Sequence, residues 1–383
     1  MSVFDVSDIA LIEDMAKRFA ETEVRPFLEA WEEAGEFPRE IYEKLAEMGW
    51  LGMGYAEEFG GTPTPWVVKN ALSIALARHT GSGGFLAGAF SHTIGLPLIA
   101  RFGSDELKQR IVPGVLSGKK ISALGITEPG GGSDVANLRT TARRDGDHYV
   151  IDGEKIFITS GMRADWITLA VRTDTENKGP GGISMIAVPG DSAGLTRSRL
   201  NKMGWLCSDT ALLHFDGVRV PVANLIGEEG KGFKMIMTNF NGERVSVAAM
   251  ALGFSQCCYD EALDWARQRK TFGSALVEHQ VVKHKLVDMR MRIESTRAWL
   301  KDISERADNN QMDAEWVAEV CMLKNHATQT MQFCADQAVQ TLGGMGFMRG
   351  TASERIYREV KVAMIGGGAE EIMKELAARQ LGI

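Results

Sequence analysis

The sequence has only five cysteines, Cys207, Cys257, Cys258, Cys321 and Cys334, an odd number with no pair at CxxC spacing. That excludes a disulfide framework and a structural zinc site, and leaves reduced, mostly buried thiols. The seven histidines are scattered. His279 and His284 stand five residues apart and cannot share a helical face as paired ligands do, so no metal site is expected. Lys and Arg nowhere form a block and the formal charge is -7, so the footprint of a nucleic-acid binder is missing. No apolar run approaches the roughly 20 residues that span a bilayer, and no membrane span is expected. The opening stretch MSVFDVSDIALIEDM is acidic and lacks both a basic n-region and an Arg/Ser-rich transit pattern, which makes the cytoplasm the expected location.

What is present is a globular composition, 44% apolar and 24% charged over 383 residues, too long for one ordinary core. Three regions differ in period. Residues 1–120 carry helical spacing, as in VSDIALIEDMAKRFAETEV and PREIYEKLAEMGWL, with Pro38 suited to a helix start. Residues 121–229 turn to short Val, Ile and Thr-rich runs, and Asp145-Gly146 and Asp152-Gly153 between them signal hairpins. Residues 230–383 return to long helical segments without coiled-coil heptads, as in a packed bundle. Helix, then sheet, then helix without βα alternation is an α+β arrangement. The glycine runs GGGSD (130–134) and GGGAEE (366–371) therefore follow no strand of a βαβ unit, and neither matches GxGxxG or GxxxxGK.

One helical line within residues 231–270 runs Ile236, Phe240, Glu243, Val247, Met250, Phe254, spaced by threes and fours. Glu243 is its only ionisable member. Desolvation there would raise its pKa toward the range of a useful base, and the adjacent Arg244 could hold the anion. Spacing alone leaves two readings open, a base and a structural Glu-Arg pair.

The blocks ALGITEPGGGSDVANLRTTA, IDGEKIFITSGMRADWITLAVRT, KMGWLCSDTALLHFDGVRVPVANLIGEEGKGF, RQRKTFGSALVEHQ and VQTLGGMGF occur in an order that resembles the acyl-CoA dehydrogenase family over the whole chain. The resemblance implies an N-terminal helical domain, a middle β-barrel domain and a C-terminal four-helix bundle. It also implies FAD as cofactor and α,β-dehydrogenation of an acyl-CoA thioester, with electrons passing to an electron-transfer flavoprotein.

Residue by residue, the resemblance places the flavin against Leu124, Gly125, Ile126 and Thr127 and against Phe157, Ile158 and Thr159, with Phe157 where the family more often has Trp. Arg269, Lys270, Thr271 and Phe272 match the block that holds the pyrophosphate and adenine; an arginine fork suits a diphosphate. His279, Gln280, Gln340, Leu342, Gly343 and Gly344 match further dinucleotide contacts that come partly from a neighbouring subunit, which implies a homo-oligomer, a tetramer in most of the family. Ser133 matches a CoA contact, and Asn241 and Arg244 lie beside the thioester. Ala369 stands where a flavin-contacting hydroxyl is common, and Glu371 remains to meet the cofactor.

Many members carry the base in a Tyr-Glu-Gly triplet, at the position held here by Gly366, Gly367 and Gly368. The isovaleryl-CoA and long-chain branches instead place it at the position of Glu243, so the stripe and the resemblance meet on one residue. Gly366 and Gly367 would also open space near the acyl chain, which implies a branched, bulky or long substrate. Two alternatives keep the fold: a dehydrogenase of an acyl group tethered to a carrier protein, and a non-catalytic flavin or acyl-binding member.

Overall fold

A computed structural model describes residues 8–383; the first seven, which the reading of the N-terminal start includes, lie outside the described residues. The chain opens with helices α1 (Ile9–Phe19), α2 (Leu28–Ala34), α3 (Glu40–Glu47), α4 (Trp66–Thr80), α5 (Gly83–Ala89), α6 (His92–Gly95), α7 (Pro97–Phe102) and α8 (Asp105–Leu116). Their ends carry ordinary signals. Gly81 closes α4 in the left-handed conformation, the Ser82 side chain caps α5 through Phe85 N, and the Ser104 side chain caps α8 through Leu107 N. α1 buries Ile12, Ala16 and Phe19 on one stripe and runs on through a π-helical turn at Ala20–Val24.

Strands β1 (Ser122–Gly125), β2 (Thr141–Asp145), β3 (His148–Thr159), β4 (Trp166–Arg172), β5 (Ile183–Pro189), β6 (Leu195–Arg199), β7 (Thr210–Pro221) and β8 (Leu225–Ile226) follow. They hydrogen-bond in the order β6-β7-β3-β2-β4-β5-β8. One edge of β4 is shared, pairing with β1 along Trp166–Leu169 and with β2 only at Arg172. The barrel implied by the resemblance is thus open: its two halves meet at a single β2–β4 residue pair, and β6 and β8 stand at opposite ends of the path.

Asp145-Gly146 forms the expected β2–β3 hairpin, with Gly146 at φ +63°. Asp152-Gly153 does not turn the chain. It lies inside β3 at a register shift against β7, with Gly153 at φ +141° and the Asp152 carboxylate accepting from Gly217 N. A local Asp-Gly signal is the same for a turn and a bulge, and here the continuing partner strand decides for the bulge.

The C-terminal region holds α9 (Gly232–Gln268), a short hairpin of β9 (Lys270–Thr271) and β10 (Ser274–Ala275), then α10 (Gln280–Asp308), α11 (Ala314–Leu342), α12 (Ala352–Ile365) and α13 (Glu370–Leu381). α9 packs on α4, α10, α11 and α12 and, near its start, on α6, α7 and β5. It therefore joins two hydrophobic cores. Ile236 and Phe240 pack with α7, α8 and β5 residues, while Val247, Met250 and Phe254 pack with the bundle and α4.

The three regions are also tied by one buried carboxyl. Glu359 on α12 accepts from Gly83 N (2.8 Å) and from Trp205 N (2.9 Å) in the loop before β7. Burial pushes it up to about 7. The cysteine expectation holds, all five thiols being free and Cys257 alone half-buried.

The bulge makes a stability prediction. A Cβ on Gly153 would meet Thr140 Cα at 2.7 Å, on a backbone that L side chains avoid. Gly153→Ala is expected to lower urea stability by about 2 kcal/mol or more; an unchanged midpoint would mean that the bulge relaxes freely.

Candidate active site

Glu243 sits where the two cores meet, about three turns into α9. Trp66 at the start of α4 packs over the preceding residue, its Cη2 lying 3.0 Å from where a Cβ on Gly242 would stand. Asp308 at the end of α10 fixes that helix start by accepting from Trp66 N and Val67 N. From the other side comes the α12–α13 link. A Cβ on Gly367 would stand 3.6 Å from Glu243 Oε1 and 4.0 Å from Arg244 Cγ. The glycine run and Glu243 face each other.

The carboxyl itself is poorly satisfied. Glu243 Oε2 is buried and has no hydrogen-bond partner. Burial pushes Glu243 up to about 7, while the charges of Arg244 and Lys324 pull it down. Native buried polar atoms are nearly always bonded, so an orphaned carboxylate oxygen beside open main chain is a candidate position for a ligand.

Arg244 favours the Glu243 anion through its charge but makes no hydrogen bond to it. Its guanidinium is buried and turned to the Gly367 carbonyl (Nε to O, 3.1 Å) and to Asn241 Oδ1 (2.9 Å). Successive helical residues point about 100° apart, so neighbours in sequence rarely chelate one another. Asn241 and Arg244, spaced by three, do pair.

Sequence reasoning missed Lys324. It lies fully buried on α11, and its ammonium donates to the Met364 carbonyl (2.9 Å) and the Gly368 carbonyl (2.8 Å). Burial lowers its pKa to about 8. A lone lysine in the buried helical series Val320, Leu323, Ala327, Met331 was a readable signal of the same kind as Glu243.

A second group assembles on the sheet. The Thr127 carbonyl accepts from Ile156 N (2.8 Å), which brings the end of β1 beside Phe157 and Thr159 on β3. Phe157 is 66% exposed although aromatic, and it holds φ +62°. A phenylalanine in left-handed backbone costs about 1 to 2 kcal/mol. An outward aromatic face kept there at such a cost fits a planar ring ligand. The side chains of Ile126 and Ile158 turn inward to the cores, so these two can offer a ligand only main chain. A Cβ on Gly125 would approach Leu169 Cδ1 to 2.9 Å, so a side chain there would displace the Leu169 tip.

Two further residues that the sequence reading missed pin this edge. Buried Lys155 donates to the Ile126 carbonyl (3.0 Å) and to Glu128 Oε1 (2.8 Å). Glu128 also accepts from Arg139 N and Thr140 N; burial raises its pKa, but the charge and hydrogen bond of Lys155, with the bonds from Thr140, outweigh burial and hold it below the usual carboxylate range. The loop carrying Gly130–Gly132 and Ser133 is then left exposed with no side chain crowding it. Residues 92–96 link the two groups: the Gly95 carbonyl accepts from Thr168 Oγ1 on β4, and the Ile94 carbonyl accepts from Asn239 Nδ2 on α9.

The third group stands apart. Arg269, Lys270, exposed Phe272, His279 and Gln280 gather around the β9–β10 hairpin, where the His279 ring reaches Thr271 Oγ1 (3.5 Å) and Ser274 Oγ (3.4 Å). About 39 Å of helix, at about 1.5 Å per residue, separates Arg269 from Glu243. α11 runs parallel to α9, with Cys321 near Arg244 and Cys334 near Ser255, so Gln340, Gly343 and Gly344 lie toward the hairpin end. The Leu342 side chain is buried and Gln340 is exposed. At the Glu243 end, Ala369 precedes α13 with no side-chain cap, and Glu371 is exposed.

The unpartnered Glu243 carboxyl facing the main chain of Gly367, and the sheet edge that presents an exposed Phe157, are the two features of the structure that call for a ligand. Sequence profiles of the acyl-CoA dehydrogenase N-terminal, middle and C-terminal domains match residues 7–119, 123–218 and 230–382. The chain belongs to the acyl-CoA dehydrogenase family. It is 35% identical over 384 residues to the mitochondrial long-chain specific acyl-CoA dehydrogenase of Rattus norvegicus, covering 98% of this chain and 86% of that one. It is 33% identical over 382 residues to the mitochondrial isobutyryl-CoA dehydrogenase of Dictyostelium discoideum, covering 99% and 90%. A crystal structure of a putative acyl-CoA dehydrogenase from Mycobacterium smegmatis superimposes with TM-score 0.94 at 43% identity, covering 99% of this chain and 98% of that one. The family's FAD-dependent dehydrogenation follows.

The strained phenylalanine gives a prediction that separates stability from binding. Phe157→Asn, which tolerates left-handed backbone, is expected to stabilise the apoprotein by about 1 kcal/mol. It should weaken flavin binding about tenfold in a fluorescence titration, and unchanged affinity would remove Phe157 from the flavin site.

Proposed function

We propose that the chain oxidises a saturated acyl-CoA to the trans-2-enoyl-CoA, with Glu243 as the base that takes the α-proton. The observation that carries this reading is the buried, unpartnered Glu243 carboxyl facing Gly367. A carboxyl brought up to about 7 by burial is matched to proton abstraction near neutrality. FAD, when bound, supplies the acceptor for the β-hydride, and Leu124 to Thr127, Phe157 to Thr159, Ala369 and Glu371 are the residues of this end that would hold it.

The thioester α-proton is too weakly acidic for a free carboxylate, so the developing enolate oxygen needs donors. The main chain of Gly367 is the donor proposed here, held by Arg244 at its carbonyl while presenting no side chain. Asn241 steadies that guanidinium, and Ser133 on the open loop would meet the CoA portion. Arg269 to Phe272, His279, Gln280 and Gln340 to Gly344 lie too far along the bundle to reach the Glu243 end of their own chain. They would complete the FAD site of another copy in a homo-oligomer, and exposed Phe272 and Phe347 at that end suit such a contact. The electron acceptor proposed is an electron-transfer flavoprotein.

Substitution of the usual Tyr-Glu pair by Gly366 and Gly367 leaves the space beside Glu243 without bulky walls. A Cβ on Gly366 would meet only the Val362 carbonyl. The favoured substrates are accordingly branched, bulky or long-chain acyl-CoAs. Anaerobic bleaching of the flavin by a panel of acyl-CoAs checks this, and a clear preference for butyryl-CoA would contradict it.

Glu243→Gln is expected to slow bleaching by the best substrate about 10⁴-fold. Since Glu243 acts deprotonated and its pKa is raised to about 7, kcat/KM should fall as pH drops through about 7. An acid limb that lies near 4.5, or full activity in Glu243→Gln, would exclude Glu243 as the base.

A further inference from the structure

The run Gly366–Gly368 has no side chains with which to fix its own path. Gly367 and Gly368 hold φ +68° and +113°, and glycine visits such conformations and others at little cost. The segment that faces the reacting carboxyl must therefore be held from outside. Two cations do so through main-chain oxygens. Arg244 takes the Gly367 carbonyl, and Lys324 takes the Met364 and Gly368 carbonyls, which bracket the stretch between them. Met364 belongs to the last turn of α12, whose carbonyls lack helical partners, so the same ammonium closes that helix. Lys324 is completely buried to do this, and both of its recorded acceptors are neutral carbonyls.

We propose that Lys324 is a positioning residue of the reaction: by bonding the carbonyls on both sides of Gly366 and Gly367, it sets the path of the main chain past the Glu243 carboxyl. The proposal rests on the reading of Glu243 as base. Its charge has a second effect. The charged and titratable groups that act at this point are Arg244 on α9, Lys324 and the Cys321 thiol on α11, and Glu370 on α13, which acts on Lys324. Both cations oppose the effect of burial on Glu243, so removal of Lys324 leaves Arg244 alone and raises the proton affinity of the carboxyl.

The test uses the holoprotein with Lys324→Met, and Lys324→Gln as a variant that keeps a shorter, uncharged NH2 donor group for the two carbonyls. Amide hydrogen exchange over residues 365–370 should quicken at least about tenfold in Lys324→Met and less in Lys324→Gln, with α11 unchanged. The infrared carboxyl band that Glu243→Gln abolishes should titrate at higher pH in Lys324→Met, and kcat with the best acyl-CoA of the panel should fall about 10- to 100-fold, the scale of a small misplacement. Exchange that is unchanged, or uniformly faster with an unmoved band, would reduce Lys324 to a structural role and overturn the proposal. If Lys324→Met does not fold, Lys324→Gln carries the same two readouts. Full activity in Glu243→Gln would sink the base while the exchange result still stood. Unchanged exchange in Lys324→Met would sink the positioning role and leave the base standing.

Discussion

A half-buried carboxyl group without a hydrogen-bond partner, set where two hydrophobic cores meet, is the constraint around which this protein is arranged. Leaving a buried polar atom unsatisfied costs about 1 to 3 kcal/mol, and Glu243 Oε2 is left so. The two nearby cations offset burial through their charge, but neither bonds it. Arg244 is turned away to a carbonyl, Lys324 is bonded to two others, and the facing residue is a glycine. The carboxyl thereby keeps a raised proton affinity and an open side, the two properties a base needs.

The helices explain why it stays there. α9 is long enough to belong to both cores, so its position is over-determined by Ile236 and Phe240 on one side and Val247, Met250 and Phe254 on the other. Rigid elements of this kind can carry a destabilised group because neighbouring packing resists its escape. The sheet edge repeats the theme with different atoms. Glu128 and Lys155 lock the main chain on either side of Thr127, and Phe157 is kept in an unfavourable conformation beside it.

Much of this was legible in the sequence, and the failures have physical reasons. The helix, sheet, helix order followed from period, because burial on one face imposes it. Glu243 was visible as the one ionisable group on an apolar line. Lys324 carried the same mark on α11, but helical spacing identifies a buried face without naming what lies opposite. Its acceptors, Met364 O and Gly368 O, are carbonyls from another helix and a link, and main-chain acceptors leave no trace in residue type. That the Arg244 guanidinium bonds the Gly367 carbonyl and Asn241, and reaches Glu243 only through its charge, could not be read from its adjacency to Glu243. Asp152-Gly153 reads like a turn until the partner strand β7 is known. The left-handed Phe157 has no local signature.

The most direct measurement of the central claim isolates the proton from the hydride. A 3-thia acyl-CoA has sulfur at the β-position and no hydride to give, so nuclear magnetic resonance of this analogue with the holoprotein in D2O reports only α-proton exchange. The account predicts deuterium incorporation at the α-carbon by the wild type, rising with pH through about 7, and none above background with Glu243→Gln. Exchange that persists undiminished in Glu243→Gln would show that another group takes the proton and would contradict the account.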